Sequence, residues 1–572
     1  MSLTRLAPDV AAVVLAAAAL ACGDRGPARR ASAEPADLVF RNGAVYTVDA
    51  ARSWAGTVAV RGGRIIYVGG DSLPAGLLGS KTEVVDLAGG MLLPGFQDGH
   101  VHLALGGLEF GECTLYLLET TREVTDSIAA CAAARPSGWL RGIGWELPAF
   151  PHANPSKSLL DRIAPDRPAF MEAADGHSAW ANSRALELAG IARDTPDPPD
   201  GRIERDPRTG EPSGTLRETA MDLVARLLPE PTDSELAAGL DRALAFAAER
   251  GLTTVMEALA SEPLVRAYAV ADRENRLSLR VVAALDGEPD STGVEGVVRR
   301  LDQWRGRYAT PRVRPSTAKL FEDGVIESRT AALLAPYLDR KGNAGEPVYP
   351  QPVLDSLVTA LDRDGWQVHV HAIGDRAIRM TLDAFERARS ANGTRDSRHT
   401  ITHLQLIDPA DQPRFRRLGV VANFEPFWAN GDEYLTRLAE PALGPRRSRW
   451  LYPIGSMVRQ GAIVSGGSDW TVSSLAPLDA IEVAVTHRPP GGRPKPPWQP
   501  EEVVDLPTAI AMYTINAAYQ NHLDRETGSI EVGKLADLVV LERNLFEVPP
   551  GEVHAVRVMR TLLEGRTVFR RP

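Results

Sequence analysis

The chain has 572 residues, of which 44% are hydrophobic, and this is enough for a large core built as several domains or as one barrel with additions. Its 64 basic and 74 acidic residues give a net charge of -10 without long runs of one sign, which offers no electrostatic footprint for nucleic acid. Three cysteines cannot build a disulfide framework or a cysteine-based zinc site. A single bridge between Cys113 and Cys131 is compatible with the sequence but is not predicted by it.

The first residues have the layout of an export signal. Arg5 precedes an apolar run that ends at Ala21 and is too short to span a bilayer. The sequence Ala19-Leu-Ala-Cys22 is similar to a bacterial lipobox, in which the cysteine is lipidated, although Ala stands where Leu is commonest. We predict a signal peptide over residues 1–21, a tether over 22–36, and an exported lipoprotein attached to a membrane only through its lipid. An ordinary secretory signal is the alternative.

Both ends of the chain are rich in short β-runs. Between residues 37 and 85, apolar runs alternate with the turn dipeptides Asn42-Gly43 and Gly62-Gly63, and the same pattern returns after residue 528. We predict that residues 37–93 and 528–572 combine into a small composite β-sandwich domain.

The middle of the chain alternates β-runs with helical stretches, which is typical of βα units around a parallel sheet. Eight such runs predict an α/β fold with a TIM (β/α)8 barrel over residues 94–527. The stretch between the first two runs far exceeds a normal crossover, so residues from about 106 to 235 are predicted to form an insertion after strand 1. The predicted strands cover residues 95–102, 253–257, 279–283, 316–321, 367–371, 399–403, 420–424 and 462–469.

Polar side chains stand near the carboxyl ends of these strands, where the active sites of TIM barrels assemble. His100 and His102 are two residues apart on strand 1, so both imidazoles point to one face. Alone, such a pair favours ordinary packing, but further candidates follow on other strands. They are Lys319 on the fourth strand, His371 on the fifth, His403 on the sixth and Asp469 after the eighth.

Joined in order, several motifs resemble the amidohydrolase superfamily, in its amidohydrolase-3-type branch similar to N-substituted formamide deformylase. The resemblance covers nearly all of the predicted mature chain and is highly specific. It rests on Pro94-Gly-Phe-Gln-Asp-Gly-His-Val-His, Asp175-Gly-His-Ser-Ala-Trp-Ala-Asn, His371-Ala-Ile-Gly-Asp-Arg-Ala, His403-Leu-Gln, Gly467-Ser-Asp and Gly528-Ser-Ile-Glu-Val-Gly-Lys.

The resemblance implies a metal-dependent hydrolase that cleaves a carbon–nitrogen bond other than a peptide bond, in an amide or an N-formyl or N-acyl amine. A hydroxide shared by two divalent ions would attack the carbonyl. Zinc is the favoured ion, and manganese, iron and cobalt suit the same ligands. The implied roles are a first ion on His100 and His102, a second on His371 and His403, a CO₂-derived carbamate bridge on Lys319, and metal binding with proton transfer on Asp469.

Lys319 fits such a site only after modification. A lysine ammonium has no lone pair and repels cations, whereas a carbamate is an anionic, bridging carboxylate. A strand-end salt bridge to Glu322 or Asp323 is the competing interpretation.

Other residues also have two interpretations. His369 faces the same way as His371, but the resemblance puts the metal on His371 and leaves His369 as packing. Asp469 could cap the following helix as well as bind metal. His177 resembles a position that faces the pocket and hydrogen-bonds substrate or its oxyanion, and the alternative is a surface histidine.

Two other functions compete with a two-metal hydrolase. One is a mononuclear deaminase on the same barrel, which resembles a branch without the bridging lysine. The other is an exported binding lipoprotein that has lost catalysis. The presence of all six candidate ligands argues against this second function. The expected partners are a small-molecule amide substrate and no nucleic acid. Nothing in the sequence specifies the oligomeric state, and a homodimer is the working expectation.

Overall fold

The computed structural model describes residues 34–492 and 496–572. The predicted signal peptide, Cys22 and most of the predicted tether lie outside the described residues. Across the ranges described, no helix combines the length and the apolar character that crossing a bilayer requires.

Eight parallel strands follow one another in chain order around a nearly closed barrel. At the seam, the backbone N–H groups of Ser468 and Asp469 donate to the carbonyl oxygen of His100 at 3.2 and 2.8 Å. The predicted TIM-barrel fold is confirmed. The barrel strands, numbered 1 to 8 below, are Phe96–Val101, Leu252–Ala260, Arg280–Asp286, Val313–Phe321, Gln367–Ala372, Thr400–His403, Val421–Phe424 and Val464–Gly466.

Helices surround this sheet because the barrel strands are buried on both faces and need an apolar cover. The helix before strand 2 shows why these helices form. Thr232 and Glu235 make a capping box at its start, and Leu236 and Leu240 lie on its buried apolar face. The helices of this layer are Leu103–Glu109, Asp233–Glu249, Glu262–Arg273, Gly293–Tyr308, Gln351–Arg363, Asp375–Asn392, Gln412–Leu418, Glu440–Arg447, Ile454–Arg459, Pro477–Thr486, Leu506–Met512 and Ile515–Gln520.

The segment between strands 1 and 2 carries a six-stranded sheet with its own apolar core. A disulfide joins Cys113, on its first strand, to Cys131 on a flanking helix, a pairing that the sequence left open. The strands are Cys113–Thr114, Leu140–Trp145, Ala169–Ala173, Ser178–Ala181, Gly201–Arg205 and Pro212–Glu218, and the helices are Thr121–Ala134, Lys157–Ile163, Ser183–Leu188 and Asp222–Ala225.

The two ends of the chain meet in a pair of sheets. One sheet has four strands and the other has six. The six-stranded sheet pairs N-terminal strands with C-terminal strands; for example, Leu538 lies opposite Pro94. Phe40 and Val60 of the first sheet share an apolar core with Leu538 of the second. The four strands are Leu38–Arg41, Thr57–Arg61, Arg64–Gly69 and Glu83–Asp86; the six are Ala44–Tyr46, Trp54–Ala55, Met91–Pro94, Leu538–Leu541, Val558–Leu563 and Arg566–Arg570.

Candidate active site

Strand 1 and the segment after strand 8 bring two imidazoles to one carboxylate. Oδ1 of Asp469 lies 3.3 Å from Nε2 of His100 and 3.2 Å from Nε2 of His102. This approach requires Gly467, because a Cβ atom there would lie 2.8 Å from Cβ of His100. Asp469 has a φ of 49°, an uncommon backbone conformation for a residue other than glycine that concentrates at functional sites.

Strands 5 and 6 place two further imidazoles beside this group. The ring of His403 lies 4.7 Å from that of His100 and 4.5 Å from that of His371, measured between centroids. His403, like Asp469, has a positive φ, of 73°. One ligand atom from each of His100, His403 and Asp469 lies within 4.8 Å of the others, which forms a candidate metal-binding triad.

Lys319 lies inside the barrel on strand 4. Its side chain is 1% exposed, and Nζ lies 4.6 Å from the ring centroid of Phe321 and forms no hydrogen bond. Burial lowers the pKa of this amine to about 8. The structure contains no ion pair between Lys319 and Glu322 or Asp323 within the ranges described, so the salt-bridge interpretation is not supported.

Three buried atoms of this group have no hydrogen-bond partner, and the imidazole nitrogen and the carboxylate oxygen among them suit a divalent cation. Nε2 of His100, Oδ1 of Asp469 and Nζ of Lys319 are buried without a hydrogen-bond partner, although such atoms are normally paired. Burial lowers the pKa of His100 and His371, which keeps these imidazoles neutral with a lone pair for a metal. Burial alone would raise the pKa of Asp469, but the adjacent imidazoles hold it well below its usual value.

His369 occupies a different place from His371. Its Nε2 lies 2.8 Å from Nδ1 of His100, and the residue is fully buried. His371 instead borders a cavity, with its Nε2 3.3 Å from the carbonyl oxygen of Gly324. His369 therefore contacts the candidate metal ligand His100 through a hydrogen bond. The sequence had suggested only a packing role for His369.

His177 extends from the inserted segment to the barrel centre. Its ring centroid lies 5.0 Å from that of His371, and its Nδ1 lies 2.7 Å from Oε2 of Glu218. Burial alone would lower the pKa of His177, but the Glu218 carboxylate outweighs it and raises the pKa to about 9. The residue is partly buried and borders the cavity, which removes the surface-histidine interpretation.

Two carboxylates of this centre were missed by the sequence reasoning, Glu218 and Glu425. Oε2 of Glu425 lies 3.0 Å from Nδ1 of His403. Glu425 is the first residue after strand 7, at the end of the barrel where such sites assemble. Its position in the sequence could therefore have indicated it as a site residue. Glu218 lies at the end of a strand of the insertion, and no motif indicated that it would reach His177.

A cavity of about 680 Å³ opens above these residues. His177, His371, His403 and Asp469 border it from the barrel side. Much of the remaining wall is aromatic, as in other small-molecule sites. The aromatic lining residues are Tyr116, Phe246, Phe427, Trp428, Tyr434, Tyr452 and Trp470.

Several known proteins are similar to this chain in sequence. The Amidohydrolase family matches residues 83–569. The chain is 33% identical to Protein LONG AFTER FAR-RED 3 of Arabidopsis thaliana, over 93% of this chain and 92% of that protein. It is 30% identical to the N-substituted formamide deformylase of Arthrobacter pascens, over 92% of this chain and 97% of that protein.

Among solved structures, an uncharacterized metal-dependent hydrolase from Pyrococcus horikoshii shares the fold. Its TM-score is 0.70 at 24% identity, and the match covers 90% of this chain and 99% of that one. The chain therefore belongs to the amidohydrolase family of metal-dependent hydrolases.

Proposed function

We propose that the protein hydrolyses a carbon–nitrogen bond other than a peptide bond, in an amide or an N-formyl or N-acyl amine. The observation that carries this proposal is the group of buried, unpartnered atoms of His100, Asp469 and Lys319, of which Asp469 borders the aromatic cavity. The formamide deformylase of Arthrobacter pascens, which is similar over nearly its whole length, supports the substrate class.

The proposed ligand set is that implied by the family resemblance. His100 and His102 would hold one divalent ion, zinc being favoured, and His371 and His403 a second. When bound, such ions supply Lewis acidity that polarises a carbonyl and lowers the pKa of water toward neutrality. Lys319 would bridge them as a carbamate, formed when its neutral amine bonds to the carbon of CO₂ and loses a proton. Its buried, unpaired Nζ supports this role.

The chain's own groups would manage the protons. Asp469, held ionised by its imidazole neighbours, accepts a proton from the attacking water and returns it to the leaving nitrogen as the carbon–nitrogen bond breaks. The His177 imidazolium, fixed by Glu218, would donate a hydrogen bond to the carbonyl oxygen as negative charge develops there. The products are a carboxylic acid and an amine.

The test is a screen of the metal-reconstituted protein against N-formyl and N-acyl amines, following amine release with and without a chelator. We expect chelator-sensitive release, and a fall of about 10²–10⁴-fold in kcat for Asp469→Asn. Asp166→Asn, on the exposed surface, is the matched control and should keep native turnover. Full turnover by metal-replete Asp469→Asn would contradict the proposed proton transfer.

A mononuclear deaminase is the second candidate, and the compactness of the triad of His100, His403 and Asp469 favours it, since these groups suit a single ion. The burial of Lys319 beside them favours the two-metal hydrolase. Metal analysis separates the two: two ions per chain support the hydrolase, whereas one ion together with release of ammonia from an aminated ring supports the deaminase.

We also propose that the protein is exported and lipidated at Cys22. The disulfide between Cys113 and Cys131 supports export, because such bonds persist mainly in oxidising compartments. In a bacterial host, the native protein should fractionate with membranes and Cys22→Ser should be released. An exported native protein that is free of membranes would support the ordinary secretory signal, and a cytoplasmic one would contradict export.

A further inference from the structure

Uncharged polar side chains form a continuous hydrogen-bonded chain inside the barrel, from the backbone of Gly99 to the ring of His100. The carbonyl oxygen of Gly99 accepts from Nε2 of Gln520 at 2.7 Å, and Oε1 of Gln520 accepts from the hydroxyl of Ser465. The oxygen of Ser465 accepts in turn from Nδ2 of Asn423 at 3.0 Å. These three side chains are fully buried, so their polar atoms depend on one another for hydrogen bonds.

The direction of each bond in this chain is set at its first member. A carbonyl oxygen can only accept, so the amide of Gln520 turns its NH₂ group towards Gly99 and its oxygen towards Ser465. Ser465 has one hydroxyl hydrogen, which this oxygen takes, and its own oxygen is left to accept from the amide of Asn423. A Cβ atom at Gly99 would lie 2.7 Å from Nδ2 of Asn423, so the close approach of this amide requires glycine there.

The last link of the chain presents an acceptor to His100. The hydroxyl of Thr402 donates to Oδ1 of Asn423 at 2.8 Å, and Oε1 of Glu425 is a second acceptor at 3.2 Å. The single hydrogen of this hydroxyl therefore points away from His100, whose Nδ1 lies 3.0 Å from the same oxygen. Nδ1 of His100 must then be the donor and carry the hydrogen of the ring.

We infer that this chain fixes His100 as the tautomer with its hydrogen on Nδ1, so that the lone pair of Nε2 faces the candidate metal site before an ion arrives. Oδ1 of Asp469, 3.3 Å from Nε2, favours the opposite tautomer, whose Nε2 hydrogen would have to leave before an ion could bind. Gln520 and Ser465 are thus positioning residues that act on His100 through intervening hydrogen bonds. This inference rests on the proposed function, in which His100 binds a metal ion.

His369 is a second reporter of the same choice. Its Nε2 lies 2.8 Å from Nδ1 of His100, and its Nδ1 is buried without a hydrogen-bond partner among the described residues. A hydrogen on Nδ1 of His100 requires Nε2 of His369 to accept, so His369 carries its own hydrogen on Nδ1. The chain therefore determines the tautomers of both rings.

The test is NMR of metal-free protein labelled with ¹⁵N at histidine, which distinguishes a protonated from an unprotonated ring nitrogen. His100→Gln and His369→Gln assign the signals. We expect the hydrogen on Nδ1 of both rings in the native protein. Ser465→Ala should give a mixture of His100 tautomers, because the amide of Asn423 is then free to turn round. A native His100 with its hydrogen on Nε2 would overturn the inference.

The same choice should appear in the metal affinity, measured by chelator competition. Thr402→Val removes the acceptor and Ser465→Ala breaks the chain farther away, so each should weaken metal binding by about 10–100-fold, as changes behind metal-bound histidines do. Thr402→Ser keeps the hydroxyl and should keep native affinity.

Thr400→Val is the matched control for these variants. It removes another buried hydroxyl from the same strand, which donates to the carbonyl oxygen of Arg398 at 3.3 Å, outside the chain. We expect native tautomers and native affinity for this control. The same native result in both Ser465→Ala and Thr402→Val, with native-like folding by circular dichroism, would contradict the inference.

The tautomer measurement needs neither metal nor turnover, which separates this inference from the proposed function. Tautomers that depend on Ser465 as expected, in a protein that binds no ion, would support the chain and overturn the proposed hydrolysis. Metal-dependent hydrolysis by a protein whose metal-free His100 carries its hydrogen on Nε2 would support the hydrolysis and overturn the role of the chain.

Discussion

Nδ1 of His403 lies 3.0 Å from Oε2 of Glu425, and both side chains are buried at the end of the barrel. Oε1 of the same carboxylate accepts from the hydroxyl of Thr402 at 3.2 Å. A carboxylate on the far nitrogen of a histidine fixes the ring and raises its basicity, as carboxylates behind metal-bound histidines do. This relationship leaves Nε2 of His403 as the nitrogen that can bind a metal.

Glu425→Gln should weaken metal binding by about 10–100-fold, because the amide keeps the shape but loses the charge that orients and activates His403. Chelator competition on the purified protein measures this affinity directly. Glu433→Gln, at an exposed position, is the control. An unchanged affinity would show that Glu425 does not act on a metal ligand.

Lys319→Ala should lose most bound metal and turnover, because the proposed anionic bridge disappears. If the lysine acts as a carbamate, added acetate or propionate should restore part of both, since a free carboxylate can occupy the vacated space. Intact-mass measurement of the native protein under CO₂ should show the added mass of one CO₂. Native metal content in Lys319→Ala would rule out the bridging role.

The pair of His177 and Glu218 predicts a pH effect on stability in metal-free protein. The pKa of His177 is raised from 6.5 to about 9 on folding, so its stabilising contribution is complete below pH 6.5 and is lost as pH rises through about 9. Glu218→Gln should lower the His177 pKa and remove this contribution. The comparison is the pH dependence of the melting temperature, with NMR titration of the histidine. A native His177 pKa near 6.5 would contradict the pairing.

Arg280, on barrel strand 3, pairs with Asp537 and Glu564 of the C-terminal part of the chain. Arg280 is 3% exposed and Asp537 is fully buried, so Arg280→Leu would leave a buried carboxylate without its partner. We expect a loss of about 3–5 kcal/mol in the free energy of unfolding, measured by urea titration. Arg437→Leu breaks the exposed pair with Glu433 and should cost at most about 1 kcal/mol. Equal losses of stability in the two variants would contradict this difference between the buried and the exposed ion pair.

The sequence predicted the fold well because the barrel is encoded locally. Each strand is a short apolar run in the sequence. Because side chains alternate between the two faces of a strand, His100 and His102 lie on one face regardless of how the rest of the chain folds. The family motifs then indicated His371, His403 and Asp469, which the structure brings to the same end of the barrel.

Contacts between distant segments could not be predicted in this way. Glu218 reaches His177 across 41 residues, and His369 reaches His100 across 269 residues. Such pairs depend on the packing of the insertion and on the depth of each side chain in the barrel, which no local period encodes. The cavity lining, which includes Glu327 and Glu146, likewise appears only when the insertion and the barrel loops are placed together.

The most direct test of the central claim is anomalous diffraction from crystals of the metal-reconstituted protein. We predict two ions, one on His100 and His102 and one on His371 and His403, with Lys319 between them carrying the density of a carbamate. An unmodified Lys319 with no ion between the two histidine pairs would contradict the account.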